Sequence, residues 1–424
     1  MENASERKVN RREFIGSAAA AGFVILKPQQ VRGTSANSAV RLGLLGCGMR
    51  QHAVATSMVQ NNNVRIVALA DLFQDRLDEA KQYYDSLATP KGFAAIDRAQ
   101  MFRGPSACEQ IAHSNEVDAI VIATPSYFHP LHLETVVDAG KHVYCEKPSG
   151  IDVPGAKRVL EAGRKAEGRL SLAVGLEVRC APPYAELVRR IHDGALGEIA
   201  CVQSYYYAPP LPLPDWPNAS PEERKIRRFF YWLELSGGIL VDQGIHPIDI
   251  INWALKAHPV KATGTGGRKV RQDEGNCWDH YSLTYTYPND IHLTFSSTQF
   301  DKGWWDVCNR FFGSKGVAEA HYAGPVAIYG DNAWSGASGG APAEFSKVGS
   351  FSDNLKYADP EKGKAFIRSV VTGPYLNETP QGVEATLTTI LGRMAAFTGR
   401  EVTWEEMLQS QKMLDPKIDL SHFV

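Results

Sequence analysis

No C-x-x-C pair and no zinc-type spacing occurs in this sequence; its seven cysteines, at 47, 108, 145, 180, 201, 277 and 308, are scattered and odd in number. A disulfide framework and a structural zinc site are thereby left without a signal, and the thiols read as small buried hydrophobes. An excess of either charge is also missing. The formal net charge is -2, and the densest charged run, EERKIRR at 222–228, mixes both signs, which describes a solvated helix face rather than a track for phosphates. Nucleic acid is therefore not an expected partner. Long hydrophobic runs are lacking too: the apolar stretch from Gly16 to Leu26 falls far short of the roughly 20 residues that span a bilayer. What remains is an ordinary globular composition, 44% hydrophobic and 22% charged over 424 residues, too long for one ordinary core and suited to two domains plus extras.

The first 39 residues differ from the rest. KVNRREFIGSAAAAGFVILKP pairs Arg11 with Arg12, continues through a mildly apolar run and passes into small residues as far as Ala36 and Ala39, the grammar of an export signal. NRREFIG resembles the twin-arginine consensus, with the bulky apolar Phe14 two places after the pair. The expectation is a leader over 1–39 and a periplasmic or otherwise exported mature protein without a membrane anchor. That route carries proteins already folded, usually with a cofactor inside.

A new pattern begins at Val40. VRLGLLGCGMRQHAVATSMVQNNNVRIVALADL reads as strand, glycine turn, helix and a second strand ending at Asp71, one βαβ unit. Its turn, Gly46-x-Gly48-x-x-Gln51, keeps two glycines of the dinucleotide fingerprint and replaces the third. Placed between strand and helix, where Met49 and Arg50 follow, its backbone N–H groups and the positive helix end can hold a pyrophosphate. Asp71 can accept hydrogen bonds from both ribose hydroxyls of NAD and repels the extra phosphate of NADP, to which Leu72 offers nothing; NAD is the expected cofactor. GTGG at 264–267 lacks such a context and reads as a turn or a strand end.

VDAIVIATPSYFHP adds a buried strand running into Thr124, Pro125 and His129, and KHVYCEKPSG a short strand ending in Glu146, Lys147 and Pro148. G-x-G, an acid after the second strand, T-P-x-x-x-H, E-K-P and, at 242–246, D-x-G-x-H follow one another in this chain. That ordered set resembles the Gfo/Idh/MocA oxidoreductases. The resemblance covers nearly everything after the leader, including VGLEVRCAPPY at 174–184, GALGEI at 194–199 and the tail TLTTILGRMAAFTGREVTWEEM. It implies an α/β Rossmann nucleotide-binding domain, 40–176, followed by an α+β domain, 177–424, whose open, largely antiparallel sheet covers the nicotinamide. It implies a cofactor site of Gly46, Gly48, Met49, Arg50, Asp71, Thr124, Pro125, His129, Glu146 and Lys147, and a catalytic group of Lys147, Asp242 and His246. Independently, runs such as IACVQSYYYA, HYSLTYTYP and DIHLTFSST are rich in β-branched and aromatic residues with partial alternation. The free face of such a sheet is an expected homo-oligomer interface.

Asp242, His246 and Asp249 interrupt the apolar stretch SGGILVDQGIHPIDIINW. At spacings of four and three they fall on one face of a helix, which Pro247 is expected to bend near the histidine. Taken alone they admit three readings: acids in a first helical turn beside a core histidine, ligands for manganese or non-haem iron, or a proton-transfer site. The family set favours the third, with no metal. His246 then accepts the hydroxyl proton of a carbinol, Lys147 stabilises alkoxide character and Asp242 orients either partner. Asp249 is a supporting acid or a surface residue.

The insert around 205–232 carries Tyr205, Tyr206, Tyr207, Trp216, Phe229, Phe230, Tyr231 and Trp232. Aromatic faces suit sugar rings, and such a proline-rich loop covers either a substrate or a neighbouring subunit. Tyr207, Trp232 and Arg179 are expected at the substrate with Asp242 and His246, Arg179 being equally readable as a surface ion pair. Trp304 and Trp305 are similar candidates. The expected activity is oxidation of a CH–OH group of a sugar or sugar derivative, with NAD.

Export constrains this activity, because a periplasm is not expected to supply free NAD. The cofactor is then expected to stay bound and to be recycled by a second carbonyl substrate. The alternative is a redox-assisted glycoside hydrolase, in which oxidation, elimination and re-reduction close one cycle. A sugar-sensing module without turnover is the non-enzymatic alternative, against which the Lys147, Asp242 and His246 set speaks.

Overall fold

The computed structural model describes residues 38–211, 213–338 and 352–423. The twin-arginine motif lies outside the described residues. Strands β1 (Val40–Leu45), β2 (Val64–Asp71), β4 (Ala119–Ile122), β5 (His142–Cys145) and β6 (Leu172–Val174), with the short edge strand β3 (Met101–Arg103), form a parallel sheet in the order β3-β2-β1-β4-β5-β6. The inner strands are nearly continuous apolar runs because both of their faces are covered. Leu42 and Leu44 meet Val54 and Met58 of α1 (Met49–Asn61) on one face, with Leu77 of α2 (Gln74–Ala88). Ile120 and Ile122 belong to the opposite cluster, with Ile111 of α3 (Ala107–Ala112), Leu133 of α4 (His129–Asp138) and Val159 of α5 (Val153–Ala166). Each such fully buried aliphatic side chain contributes about 1.5–3 kcal/mol relative to exposure. The strand order reverses between β1 and β4, which opens a crevice at their carboxyl ends.

Beyond α6 (Pro182–His192), β7 (Ile199–Ala208) starts a second sheet. Between β7 and β8 (Lys261–Gly267) lie α7 (Pro221–Arg227), α8 (Leu233–Ser236), α9 (Ile239–Asp242) and α10 (Ile245–Leu255). Then come β9 (His280–Tyr287), β10 (Ile291–Gln299), β11 (Asp306–Gly313), β12 (Gly316–His321), β13 (Pro325–Gly330) and β14 (Trp334–Ser338). Helices α11 (Ala358–Thr372) and α12 (Thr379–Thr398), strand β15 (Val402–Thr403) and α13 (Trp404–Leu408) complete the fold. The sheet runs β14-β13-β12-β11-β7-β10-β9-β8-β15, antiparallel except where β7 pairs with β10. The GTGG run forms the end of β8. One face of the sheet packs on α12, so closely that a side chain at Gly392 would collide with the Tyr285 hydroxyl.

The C-terminal helices also return to the first sheet. Helix α11 packs on α1 and α12 on α5, and the backbone of Leu172 donates to Leu376 at 2.7 Å. Residues 358–398 thus serve both sheets, which a linear division at residue 176 does not express.

The continuous helix expected across Asp242, His246 and Asp249 is broken, and not at Pro247. It divides at Gln243–Gly244, where a β-carbon on Gly244 would sit 2.7 Å from the Leu240 carbonyl and 3.2 Å from the Phe295 ring. Pro247 lies in the first turn of α10, where a missing N–H costs little.

Candidate active site

The glycine turn occupies the crevice between β1 and β4. Gly46 has φ of +85°, and a β-carbon there would lie 2.9 Å from the Ala123 carbonyl and from Thr124 Cγ2, so glycine is required on two counts. Gly48 is different: nothing lies within 4 Å of its missing β-carbon, which leaves the backbone open to close approach. It is also the N-cap of α1 and has no side-chain cap, so the first-turn N–H groups remain available to an anion. Across the turn, the Asp71 carboxylate accepts from the backbone of Cys47 at 2.6 Å and Phe73 at 3.0 Å. Burial raises its pKa, and these two N–H groups oppose the rise. Gly46, Gly48, Asp71, Leu72, Thr124 and Pro125 all line one cleft of about 410 Å³, a size within the ordinary range for small-ligand sites. An open turn, an uncapped helix start and a placed carboxylate together fit a dinucleotide.

His132, which the motifs did not single out, lines the same cleft, with Nδ1 at 3.0 Å from Thr124 Oγ1. Burial, helped by His129, depresses its pKa to about 3, so the ring is neutral. His129 departs from the cofactor contact expected of it. It is buried, with Nδ1 at 2.8 Å from the Pro148 carbonyl and Nε2 at 2.8 Å from that of Thr124; it holds two motif loops together from behind. Met49 is 40% exposed and lines a separate surface groove with His52 and Tyr83.

Arg50 turns inward as well. Its Nε donates to Glu146 at 2.7 Å, its two terminal nitrogens donate to Asp359 at 2.8 Å each, and Glu177 Oε2 lies 3.8 Å away. Burial works against the charge on Arg50, but Asp359, Glu146 and Glu177 outweigh it and raise its pKa well above the ordinary value. Arg50 and Glu146 therefore belong to a buried ion cluster behind the turn, and Asp359 of α11 joins them across 309 residues of sequence.

Lys147 leaves the carboxyl end of β5 and reaches the end of α9, where Nζ donates to the Asp242 carbonyl at 2.5 Å and lies 3.7 Å from Asp242 Oδ1. His246 stands in the first turn of α10, 7% exposed, with Nδ1 facing Glu177 Oε1 at 3.9 Å and without a hydrogen-bond partner among the described residues. Burial, Lys147 and Arg50 all push its pKa well below the ordinary histidine value, so the ring is neutral at pH 7, the form in which a base acts. Burial likewise raises Asp242, against the pull of Lys147. Glu177 was not among the expected site residues. Burial pushes it up to about 7, with Arg50 opposing and Asp359 and Glu146 assisting. An acid inside the apolar VGLEV run is the signal that could have marked it.

Three expected substrate contacts are placed elsewhere. Arg179 donates twice to Asp249 at 2.7 Å and lies 5.4 Å over the Trp253 ring, so the two charged groups are committed to one another. Tyr207 points to the open sheet face, where it stacks on Tyr205 at 4.8 Å and meets Trp304 at 5.8 Å. Tyr206, one residue earlier and 1% exposed, faces the site instead: Asp242 and Glu177 add to the burial that raises its phenol pKa. The signal was the phase of Val202 and Ala208, both buried and in step with Tyr206, against the exposed Gln203. Trp232 lies under Lys225 Nζ at 4.5 Å and lines a shallow depression with Arg224 and Lys417. Among the described residues, no group of three His, Cys, Asp or Glu is placed to hold a metal ion.

A pyrophosphate-ready turn at a strand-order reversal, with a lysine, a carboxylate and a histidine gathered where the second sheet meets the first, belongs to the two-domain, NAD-binding oxidoreductases. Residues 40–174 match the family model described as oxidoreductase family, NAD-binding Rossmann fold, and residues 184–319 match the GFO/IDH/MocA C-terminal domain. The chain is a member of the Gfo/Idh/MocA oxidoreductases. Inositol 2-dehydrogenase of Rhizobium meliloti (strain 1021) is 27% identical over 68% of this chain and 78% of its own. The scyllo-inositol dehydrogenase of Lactobacillus casei, solved with NAD(H) and scyllo-inositol, shares the fold at TM-score 0.65 and 18% identity, covering 87% of this chain and 99% of its own. The aldose-aldose oxidoreductase of Caulobacter crescentus, complexed with glycerol, does so at 0.64 and 18%, covering 86% and 99%.

Proposed function

We propose that the protein oxidises a secondary hydroxyl of a sugar or cyclic polyol with NAD that stays bound and is recycled. The observation that carries this is the neutral, buried His246 beside Lys147 and Asp242 at the carboxyl end of the nucleotide sheet. When bound, NAD would supply the acceptor for the hydride that leaves the carbinol carbon. His246 takes the hydroxyl proton, Lys147 steadies the negative charge growing on that oxygen, and Asp242 holds Lys147 in place. Tyr206 and Glu177 wall the site and exclude water. Gly46, Gly48 and Asp71 would hold the pyrophosphate and ribose. The sugar or polyol as substrate draws on the inositol- and aldose-acting relatives; the retained cofactor draws on the twin-arginine leader, which makes the protein periplasmic or otherwise exported.

The test is to purify the mature protein without added cofactor, denature it and quantify any nucleotide released. Near-stoichiometric NAD(H) is expected; an empty protein overturns the recycling. With an added carbonyl acceptor a keto-sugar accumulates, whereas release of an aglycone without net NADH marks the glycoside-cleaving alternative. We further assign the open sheet face, with Tyr205, Tyr207 and the 56% exposed Trp304, to contact between copies of the chain. Sedimentation should then give a dimer or larger assembly that Trp304→Glu weakens, and a monomeric wild type sinks the assignment.

A further inference from the structure

The nucleotide cleft has two walls of different origin. One is the Rossmann wall of Asp71, Leu72 and Phe73 already described; the other consists of Ile226, Arg227 and Phe229 from the insert and Met413 and Leu420 from the C-terminal tail. These segments are anchored rather than merely near. The Arg227 guanidinium lies 3.8 Å over the Phe73 ring, donates to both oxygens of Asp75 at 2.8 and 2.9 Å, and is held from behind by Glu223 at 2.7 Å. The Phe423 ring meets Phe73 edge-on at 5.8 Å, so Phe73, two residues past Asp71, is covered from two sides by remote parts of the chain. The tail is tied at two further points: Leu414 N–H donates to Asp152 at 2.9 Å, and Lys225 of α7 donates to the Pro416 carbonyl at 2.9 Å. The second of these joins the tail to the insert.

We propose that α7 and the tail from Met413 to Phe423 form a clasp across the adenine and ribose end of the cleft, so that bound NAD leaves only when the clasp opens. It rests on the NAD-retaining reading above. The position follows from Asp71: that carboxylate would hold the ribose, and Leu72 and Phe73, which line the cleft beyond it, would flank the adenine beneath the second wall. The chemistry suits the occupant. Ile226, Phe229, Met413 and Leu420 offer apolar cover to a flat heterocycle, and Arg227 offers a cation at its edge. Release then requires separating Arg227 from Asp75 and Phe73 as well as withdrawing the nucleotide, which slows dissociation.

The full-length protein is loaded with NAD+, freed of excess nucleotide, and its release followed in a large excess of competing ADP-ribose by chromatographic assay of bound NAD+. Arg227→Ala and the double variant Met413→Ser/Leu420→Ser are compared with wild type; Met413 is 64% exposed, so its loss spares the core. Release at least tenfold faster in both variants, each still unfolding cooperatively in the nucleotide-free state, is expected. Equal release rates in correctly folded variants overturn the clasp while leaving the NAD reading intact. Wild-type release complete within seconds overturns the clasp together with the retention of NAD on which it rests. A wild type that binds no NAD+ in equilibrium calorimetry overturns both.

Discussion

His246→Ala lowers kcat by about 10²- to 10⁴-fold, the range general-base catalysis supplies, and leaves NAD binding unchanged, because the ring lies outside the nucleotide cleft. The pH dependence makes the assignment specific. A base acts in its unprotonated form, and burial, Lys147 and Arg50 each push the His246 pKa below its ordinary 6.5. The acid limb of kcat/KM therefore lies below pH 6.5, and activity persists from neutrality down past that point. In the alanine variant that limb is absent from the residual rate. Steady-state rates from pH 4.5 to 9 check this (roughly the span in which a histidine titrates). An acid limb at or above 6.5, or an alanine variant that keeps the wild-type profile, moves the base elsewhere.

Arg50→Met destabilises the fold by about 3–5 kcal/mol, the cost of breaking a buried ion pair by removing one partner. Arg50 is the cation among Glu146, Glu177 and Asp359, and all three carboxylates are buried. Without it, the three face one another in a low dielectric, and the pKa values of Glu146 and Glu177, already raised by burial, rise further. The sign follows: a folded state that binds more protons than the unfolded one gains stability as pH falls. Glu177, already pushed up to about 7 in the wild type, protonates first. The deficit is thus largest at alkaline pH and shrinks as the pH drops through neutrality. Urea unfolding of both proteins above and below neutrality measures it; a loss independent of pH, or below about 1 kcal/mol, the worth of a surface pair, shows that the cluster does not hold its charges as described.

Much of the nucleotide half was legible because its signals are local. Strand, glycine turn, helix and terminal acid lie within a single stretch from Val40 to Asp71, and the buried strand runs carry their own composition. The pairing of Lys147 with Asp242 came from motif order, and the structure brings those two together with His246 close to Glu177. What helical spacing and strand alternation left open was decided by packing. Asp249 has the right helical spacing from His246, yet Arg179 claims it through a bidentate pair that spacing does not encode. Three consecutive tyrosines on β7 leave their facing to strand phase, and Tyr206, not Tyr207, points inward.

By itself, then, the sequence determined the glycine turn, the acid that ends the second strand and the succession of a parallel and a largely antiparallel sheet. Tertiary structure alone decided which charges are neutralised, by bringing Asp359 to Arg50, and which segments close the cleft, by bringing Phe423 and Arg227 to Phe73. The physical reason is that backbone periodicity acts over a few residues, whereas burial joins groups that packing brings together from any distance along the chain, and it is burial that sets their pKa values and partners.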